Sequence, residues 1–293
     1  MENCDILIIG GGAAGIAAAK RAAADGAAVM LVEHEATLGG VLRQCAHHGF
    51  GKGLSGPEYV ASLLQDFPAA VQMQTGTTAL AVSPERQALL ASSARGRWYV
   101  AFDQLILATG CYEKPIGALG IAGTRPSGVY TAGAVQALMN LHGWVPPGPV
   151  VILGSGDLGL IMAAQCVAHH LPVTIVEQRA FCSGLARNQH ILSDARLRLI
   201  CGTTIAEIHG TPVLTEVLLE NGETLSCQTL LVACGLCPER TLVESLGVQR
   251  WLHLCGNCRG VQKMIETVVQ DGIQAGAAAS RQWLERLERS EDR

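Results

Sequence analysis

Six glycines and two glutamates carry most of the chemistry written into this sequence. Gly10, Gly12 and Gly15 stand in G-x-G-x-x-G register behind a short apolar run from Ile6 to Ile9, and Gly154, Gly156 and Gly159 repeat that register behind Val150 to Leu153. In each copy a second apolar run ends on an acid, Glu33 or Glu177, 23 positions after the first glycine. A unit of this kind takes the diphosphate of a dinucleotide. Its first glycine permits the turn, its second lets main-chain N–H groups approach the diphosphate, and its third lets the helix close on the strand. No lysine is needed, because a helix N-terminus carries about half a positive charge and free N–H donors. The acid then accepts hydrogen bonds from the adenosine ribose. Glycine turns between strand and helix also occur without a ligand, so one copy is weak evidence. Two copies with the same acid spacing predict two dinucleotide sites.

Sulfur chemistry is the second theme. Cys45 follows the paired glycines Gly39 and Gly40 and is flanked by Arg43, His47 and His48. Basic neighbours lower a thiol pKa, which makes Cys45 a candidate redox group; the alternative is a loop residue shaped by packing. Cys234 with Cys237 and Cys255 with Cys258 form two C-x-x-C pairs separated by 17 residues. Four soft thiolates at such spacing suit tetrahedral zinc or an iron–sulfur cluster. Each pair also falls on a turn with its own explanation, so separate thiols stand against the four-thiol site, which is kept as an alternative.

These residues need elements to hold them. Residues 5–33 read as strand, glycine turn, alanine-rich helix stopped by Gly26, and parallel strand. Pro57 opens a helix reaching about Asp66. Residues 71–103 alternate over short runs broken by Gly76, Pro84 and Gly96, the pattern of a β-meander, and residues 104–110 (QLILATG) read as a separate buried strand. A helix is expected near residues 131–141. Three prolines and a glycine within residues 144–149 make a hinge into the second glycine unit. Its helix spans residues 158–170, strands follow over 199–226 with a hairpin at Asn221-Gly222, and residues 229–235 (TLLVACG) mirror QLILATG. The chain thus carries a divergent internal duplication. A short strand over 252–257 and a helix over 261–287 close it.

Composition narrows the class. The 293 residues give room for two domains. Hydrophobic residues make up 49% and charged residues 16%, which suits parallel sheets covered on both faces. A net charge of −4 and few aromatics argue against nucleic acid. No apolar stretch approaches the roughly 18 residues of a membrane span, and no secretory signal opens the chain, so a cytoplasmic location is expected. Eleven cysteines in such a chain point to reduced thiols rather than a disulfide framework.

The twin glycine units, the ATG-type turns and the glycine-asparagine at Gly256-Asn257 resemble the pyridine nucleotide-disulfide oxidoreductase superfamily. The stretches LGGVLRQCAHHGFG, GTRPSGVYTAGAVQALMNLHGWVP, VVILGSGDLGLIMA and GLARN are similar to the FAD-dependent oxidoreductases associated with anaerobic glycerol-3-phosphate dehydrogenase. The resemblance covers roughly residues 3–280. It implies an α/β fold of two Rossmann-like domains, with an FAD domain over 1–115 and 250–293, a crossover over 116–148 and an NAD(P) domain inserted at 149–249. It implies that Gly10, Gly12, Ala13, Ala14, Gly15 and Glu33 hold the FAD diphosphate and adenosine ribose, with Gly40 and Val41 along the ribityl and flavin side. Thr109 and Gly110 then pass close to FAD, and Gly256 with Asn257 lies near its ribityl or diphosphate part, although the superfamily usually has aspartate where Asn257 stands. Gly154, Gly156, Asp157, Leu158, Gly159 and Glu177 would hold the nicotinamide nucleotide. An acid at Glu177 favours NAD(H), while Arg179 leaves NADP(H) open.

The implied activity is hydride exchange between NAD(P)H and flavin, with electrons passed to an acceptor or a partner dehydrogenase subunit, in an oligomer or hetero-complex. Disulfide enzymes of the superfamily use two cysteines after the paired glycines, and this chain has only Cys45 there. A thiol-assisted NADH oxidase or peroxidase using Cys45, and a nucleotide-binding or electron-relay subunit without substrate chemistry, are the alternatives.

Overall fold

A computed structural model of the chain describes residues 2–291. They form two compact units: the chain up to Tyr112 together with the chain from Cys237 onward, and the segment Glu113–Leu236 between them. The first glycine unit lies in the former and the second in the latter.

The first unit is built on a seven-stranded sheet. Its strands run in the order Gln72–Gln74, Val29–Val32, Glu2–Ile9, Gly96–Leu107, Gln87–Ser92 and Thr77–Val82, and Leu252–Leu254 also pairs with Gly96–Leu107. Period-two alternation divides the apolar side chains between the two faces. Ile6, Ile8, Val29, Leu31 and Ile106 face the alanine-rich helix Ala13–Ala23 and the C-terminal helix Ile265–Glu291, while Leu7, Ile9, Met30, Val32, Leu105 and Leu107 meet Leu90, Val100, Val243 and Trp251. Each fully buried Ile or Leu contributes roughly 1.5–3 kcal/mol. Covered faces on both sides explain why these strands are continuously apolar.

The last strand of the meander and the QLILATG strand, expected as separate elements, are one strand. Gly96–Leu107 pairs antiparallel with Gln87–Ser92 through its first half and parallel with Glu2–Ile9, in register from Glu2↔Val100 to Ile9↔Leu107, through its second. Nothing between Gly96 and Leu107 breaks the strand, and the first strand begins to pair before the buried run starts.

The two helices over the inner face approach backbone to backbone. A Cβ on Gly272 would lie 2.2 Å from the Ala14 carbonyl oxygen, and one on Gly276 would lie 2.6 Å from that of Ala18. Only glycine fits these positions, so the C-terminal helix seats directly on the first turn after the glycine loop.

The second unit holds a five-stranded all-parallel sheet in the order Val129–Thr131, Thr229–Val232, Val150–Leu153, Val173–Glu177 and Leu197–Cys201. A four-stranded sheet, Ala122–Gly123, Ile205–Gly210, Leu214–Leu219 and Thr224–Ser226, accompanies it, with its hairpin turn at Asn221-Gly222.

The expected domain boundaries shift. Residues 116–148, read as a crossover, fold into the second unit, because Val129–Thr131 adds an edge strand and the helix Ala132–His142 buries Ala132, Val135 and Met139 in its core. Residues 237–249, read as part of the inserted domain, belong to the first unit. Val243 is buried there against the outer face, with Leu242 and Leu246 packed beside it.

Candidate cofactor-binding sites

In the first unit the strand ends at Ile9 and the chain turns at Gly10, whose φ is +106°. A Cβ there would sit 2.3 Å from the Ala108 carbonyl oxygen, and a Cβ on Gly15 would sit 1.8 Å from that of Gly10. These two glycines let strand, turn and helix touch. Gly12 differs: a Cβ on it would meet only the Gly40 Cα, at 4.0 Å. It is the N-cap of the helix Ala13–Ala23, which has neither a capping side chain nor an acid in its first turn. The helix N-terminus therefore has room at Gly12 suited to an anion, while the Ala13 and Ala14 side chains are buried.

Glu33 is only 3% exposed. Its Oε2 accepts the Gly11 N–H at 2.7 Å and its Oε1 accepts the Glu35 N–H at 2.8 Å. The loop beyond returns to the glycines through the Gly39 N–H, which donates to the Gly11 carbonyl at 2.8 Å. A Cβ on Gly40 would lie 3.1 Å from the Gly12 Cα, and Val41 is 64% exposed beside it.

The Thr109 hydroxyl donates to the Glu239 carbonyl at 2.6 Å, and Gly110, at φ +76°, has open space where a Cβ would stand. Gly256, at φ +67°, leads the short turn Gly256–Cys258, and a Cβ on it would lie 2.8 Å from Ala14 Cβ. This turn accordingly abuts the first turn of the glycine-loop helix. Asn257 spends its side chain inside the protein. Its Oδ1 accepts the Gln262 N–H at 2.9 Å and its Nδ2 points to Cys111 Sγ at 3.5 Å.

The second unit repeats this construction with one elaboration. Gly154 has φ +105°, with a would-be Cβ 2.7 Å from the Ala233 carbonyl oxygen; Gly159 mirrors Gly15, 2.1 Å from Gly154 O; and Gly156 has nothing within 4 Å. Glu177 accepts the Ser155 N–H at 3.0 Å on Oε2 and the Arg179 N–H at 2.9 Å on Oε1, as Glu33 does with Gly11 and Glu35. Two hydroxyls are added on Oε2, Ser155 Oγ at 2.5 Å and Ser183 Oγ at 2.9 Å. Burial pushes the Glu177 carboxyl up, but these hydrogen bonds outweigh it and hold the group below the usual carboxylate range.

Asp157 and Leu158 contribute otherwise than expected. Asp157 Oδ1 accepts the Leu185 N–H at 2.8 Å and the Asn188 side-chain amide at 2.7 Å, while Leu158 packs against the core. The Asp157 carboxylate thus ties down the segment Ala186–Ser193, and what the two residues offer an anion is their place at the helix N-terminus.

The expected lowering of the Cys45 pKa is reversed. The thiol is buried, donates to the Val41 carbonyl at 3.3 Å, and is pushed up to about 12 by burial. Its basic neighbour Arg43 instead pairs with Glu35 at 3.1 Å. Cys258 Sγ donates to the carbonyls of Leu107 and Cys255, at 3.0 and 3.1 Å, and burial raises both the Cys255 and Cys258 thiols. Burial, followed by the charge of Glu177, raises Cys234 to about 11, and its thiol donates to the Leu153 carbonyl at 3.4 Å. None of the eleven cysteines forms a disulfide, and among the described residues no three His, Cys, Asp or Glu side chains form a group that could hold a metal ion.

Sequence reasoning missed the loop contacts of Gly11, Gly39 and Ser183, and above all Asp271, a buried carboxylate on the C-terminal helix. No local pattern marks Asp271; its partners lie 12 and 15 residues away.

Two glycine-loop cradles, each at the end of a strand flanked by parallel neighbours, define a double dinucleotide-binding fold. The family model described as pyridine nucleotide-disulphide oxidoreductase matches residues 4–253, and the chain belongs to that family. Over 190 residues it is 25% identical to putidaredoxin reductase of Pseudomonas putida, covering 61% of this chain and 44% of that protein. Over 156 residues it is 29% identical to the ferredoxin reductase component of a Cupriavidus chlorobenzene dioxygenase, covering 50% of this chain and 37% of the relative. The matches therefore span less than half the length of either relative. Among solved structures, thioredoxin reductase of Lactococcus lactis superposes with a TM-score of 0.78 at 19% identity, covering 96% of this chain and 99% of that one. This last likeness shows the shared fold.

The family implies FAD in the first cradle, and the residues fit it. The space at Gly12, the uncapped helix N-terminus and the buried, loop-bound Glu33 meet the needs of a diphosphate and a ribose.

Proposed function

We propose that this chain is an FAD-dependent oxidoreductase that takes reducing equivalents from NADH and delivers them to a partner protein or acceptor. One observation carries the reading: both glutamates receive the same pair of main-chain N–H groups, one from the glycine loop and one from two residues beyond the acid. A carboxylate set beside an open glycine loop is built for the ribose and diphosphate of an adenine dinucleotide. With FAD and a nicotinamide bound, the chemistry supplied is hydride exchange between their rings, with electrons then passed onward.

The chain's own residues do the rest. Gly10, Gly12, Gly15, Ala13 and Ala14 present the first helix N-terminus to a diphosphate, and Glu33 takes the adenosine ribose. Gly40, Val41, Thr109, Gly110 and Gly256 border the same cradle, with Asn257 securing the Gly256 turn. Gly154, Gly156 and Gly159, with the helix start at Asp157 and Leu158, serve the nicotinamide nucleotide. The ionised Glu177 repels a 2′-phosphate, which supports NADH over NADPH.

The names of the relatives, a putidaredoxin reductase and the ferredoxin reductase component of a dioxygenase, support a protein electron acceptor. The resemblance of LGGVLRQCAHHGFG and the other stretches to oxidoreductases associated with anaerobic glycerol-3-phosphate dehydrogenase supports a place as one subunit of a dehydrogenase. Eleven cysteines without a disulfide fit a reducing compartment such as the cytoplasm, and no described helix is long and apolar enough to cross a membrane. The raised pKa of Cys45 argues against a thiol-assisted oxidase or peroxidase.

Anaerobic titration of the purified protein with NADH and NADPH, followed by optical spectra, tests the reading. The flavin band should bleach with NADH at lower concentration than with NADPH. Bound nucleotide without bleaching would mean a binding or relay subunit instead.

A further inference from the structure

A buried carboxylate outside both glycine units has no part in the chemistry above. Asp271 is 7% exposed and lies in the second turn of the helix Ile265–Glu291, past the reach of the helix N-terminal dipole. Burying such a charge costs several kcal/mol unless hydrogen bonds and an opposite charge offset it, and an apolar residue of similar size would often be as stable or more so. What Asp271 obtains is geometric. Its Oδ2 accepts the Gly256 N–H at 2.8 Å, and its Oδ1 takes the guanidinium of Arg259, itself 61% exposed.

A second group grips the same turn from its other end. Arg240 donates from Nε to the Cys258 carbonyl at 2.5 Å and from its terminal nitrogen to the Arg259 carbonyl. The turn is thus held by an acceptor on its first N–H and by a two-pronged donor on its last carbonyls. It bears directly on the cradle, since Gly256 has no room for a Cβ against Ala14, and Gly272, next to Asp271, has none against the Ala14 carbonyl. Asp271, the Gly256 turn and the first turn of the glycine-loop helix therefore form one packed set. Displacement of the turn would change the wall beside the helix N-terminus.

We propose that Asp271 and Arg240 are positioning residues, a two-ended clamp that sets the Gly256–Cys258 turn against the FAD cradle and so tunes FAD affinity without touching the cofactor. The inference rests on the reading that FAD occupies the first cradle.

The test is FAD binding by flavin-stripped protein, followed by fluorescence titration, with the thermal midpoint of the stripped protein recorded alongside. Asp271→Ala, which orphans the Gly256 N–H, should weaken FAD about tenfold, the scale of one lost buried hydrogen bond. Asp271→Asn keeps an acceptor for that N–H and should stay within about threefold of wild type, with the midpoint of the stripped protein unchanged. Arg240→Lys, which can reach only one carbonyl and leaves no buried charge behind, should weaken FAD about fivefold and serves if Asp271→Ala does not fold. Wild-type affinity in Arg240→Lys and Asp271→Ala, or equal losses in Asp271→Ala and Asp271→Asn, would overturn the clamp while leaving the function standing. A wild-type protein that binds no FAD would overturn both.

Discussion

Gly12→Ala separates the fold from the site. Gly12 has φ −75° and ψ −172°, extended backbone that alanine adopts without strain, and the added methyl would meet only the Gly40 Cα at 4.0 Å. Alanine is a poorer N-cap than glycine, which costs roughly 1 kcal/mol. In a unit of this size that lowers the thermal midpoint by about 3 °C. The methyl would fill the space left for a diphosphate. Displacing that group from even one or two main-chain N–H donors, at about 1.5–3 kcal/mol each, loses about 3 kcal/mol or roughly a hundredfold in affinity. The assay is reconstitution of stripped protein with FAD beside a melting curve. Gly15→Ala is the contrasting control, because a Cβ 1.8 Å from the Gly10 carbonyl oxygen cannot be accommodated and the fold itself should fail. If Gly12→Ala retains full FAD affinity, the placement of the diphosphate at this loop is wrong.

Gly156→Ala should likewise abolish NADH titration while leaving FAD content intact, since nothing lies within 4 Å of its Cβ position in the second unit. His209 donates to Glu207 at 2.8 Å and to Glu216 at 3.3 Å, and these bonds raise its pKa above the ordinary histidine value. Because the folded value is the raised one, the stabilisation is complete below about pH 6.5 and fades as pH climbs through the folded pKa, which His209→Gln should abolish in pH-dependent melts. Cys45 should resist iodoacetamide in the native protein and react once the chain unfolds, read by mass spectrometry; rapid native labelling would contradict its burial and raised pKa. Trp283→Ala, at the end of the contact between the two helices, should cost about 3–5 kcal/mol of stability in denaturant melts.

Much of the architecture follows from short-range patterns. Strand, glycine turn, helix and strand over residues 5–33 and again over 150–177 are dictated by backbone sterics and by the switch from period 2 to period 3.6, all within about thirty residues. The equal spacing of Glu33 and Glu177 belongs to the same local logic, so the two cradles could be read without a structure. Asn221-Gly222 specified its hairpin for the same reason.

What the sequence by itself determined, then, is the pair of cradles and the parallel strands that carry them. Tertiary structure decided everything that depends on distant partners. Desolvation reversed the sign of the Cys45 pKa shift, because burial outweighs nearby basic residues once Arg43 turns to Glu35. Ser183 and Ser155 enclosed Glu177, and Asp271 reached Gly256 from a helix whose own pattern shows only an isolated acid. Edge pairing drew residues 129–142 into the second unit, and burial of Val243 drew residues 237–249 into the first. Hydrogen bonds and buried area between segments far apart in the chain have no local periodicity, so only the folded chain reveals them.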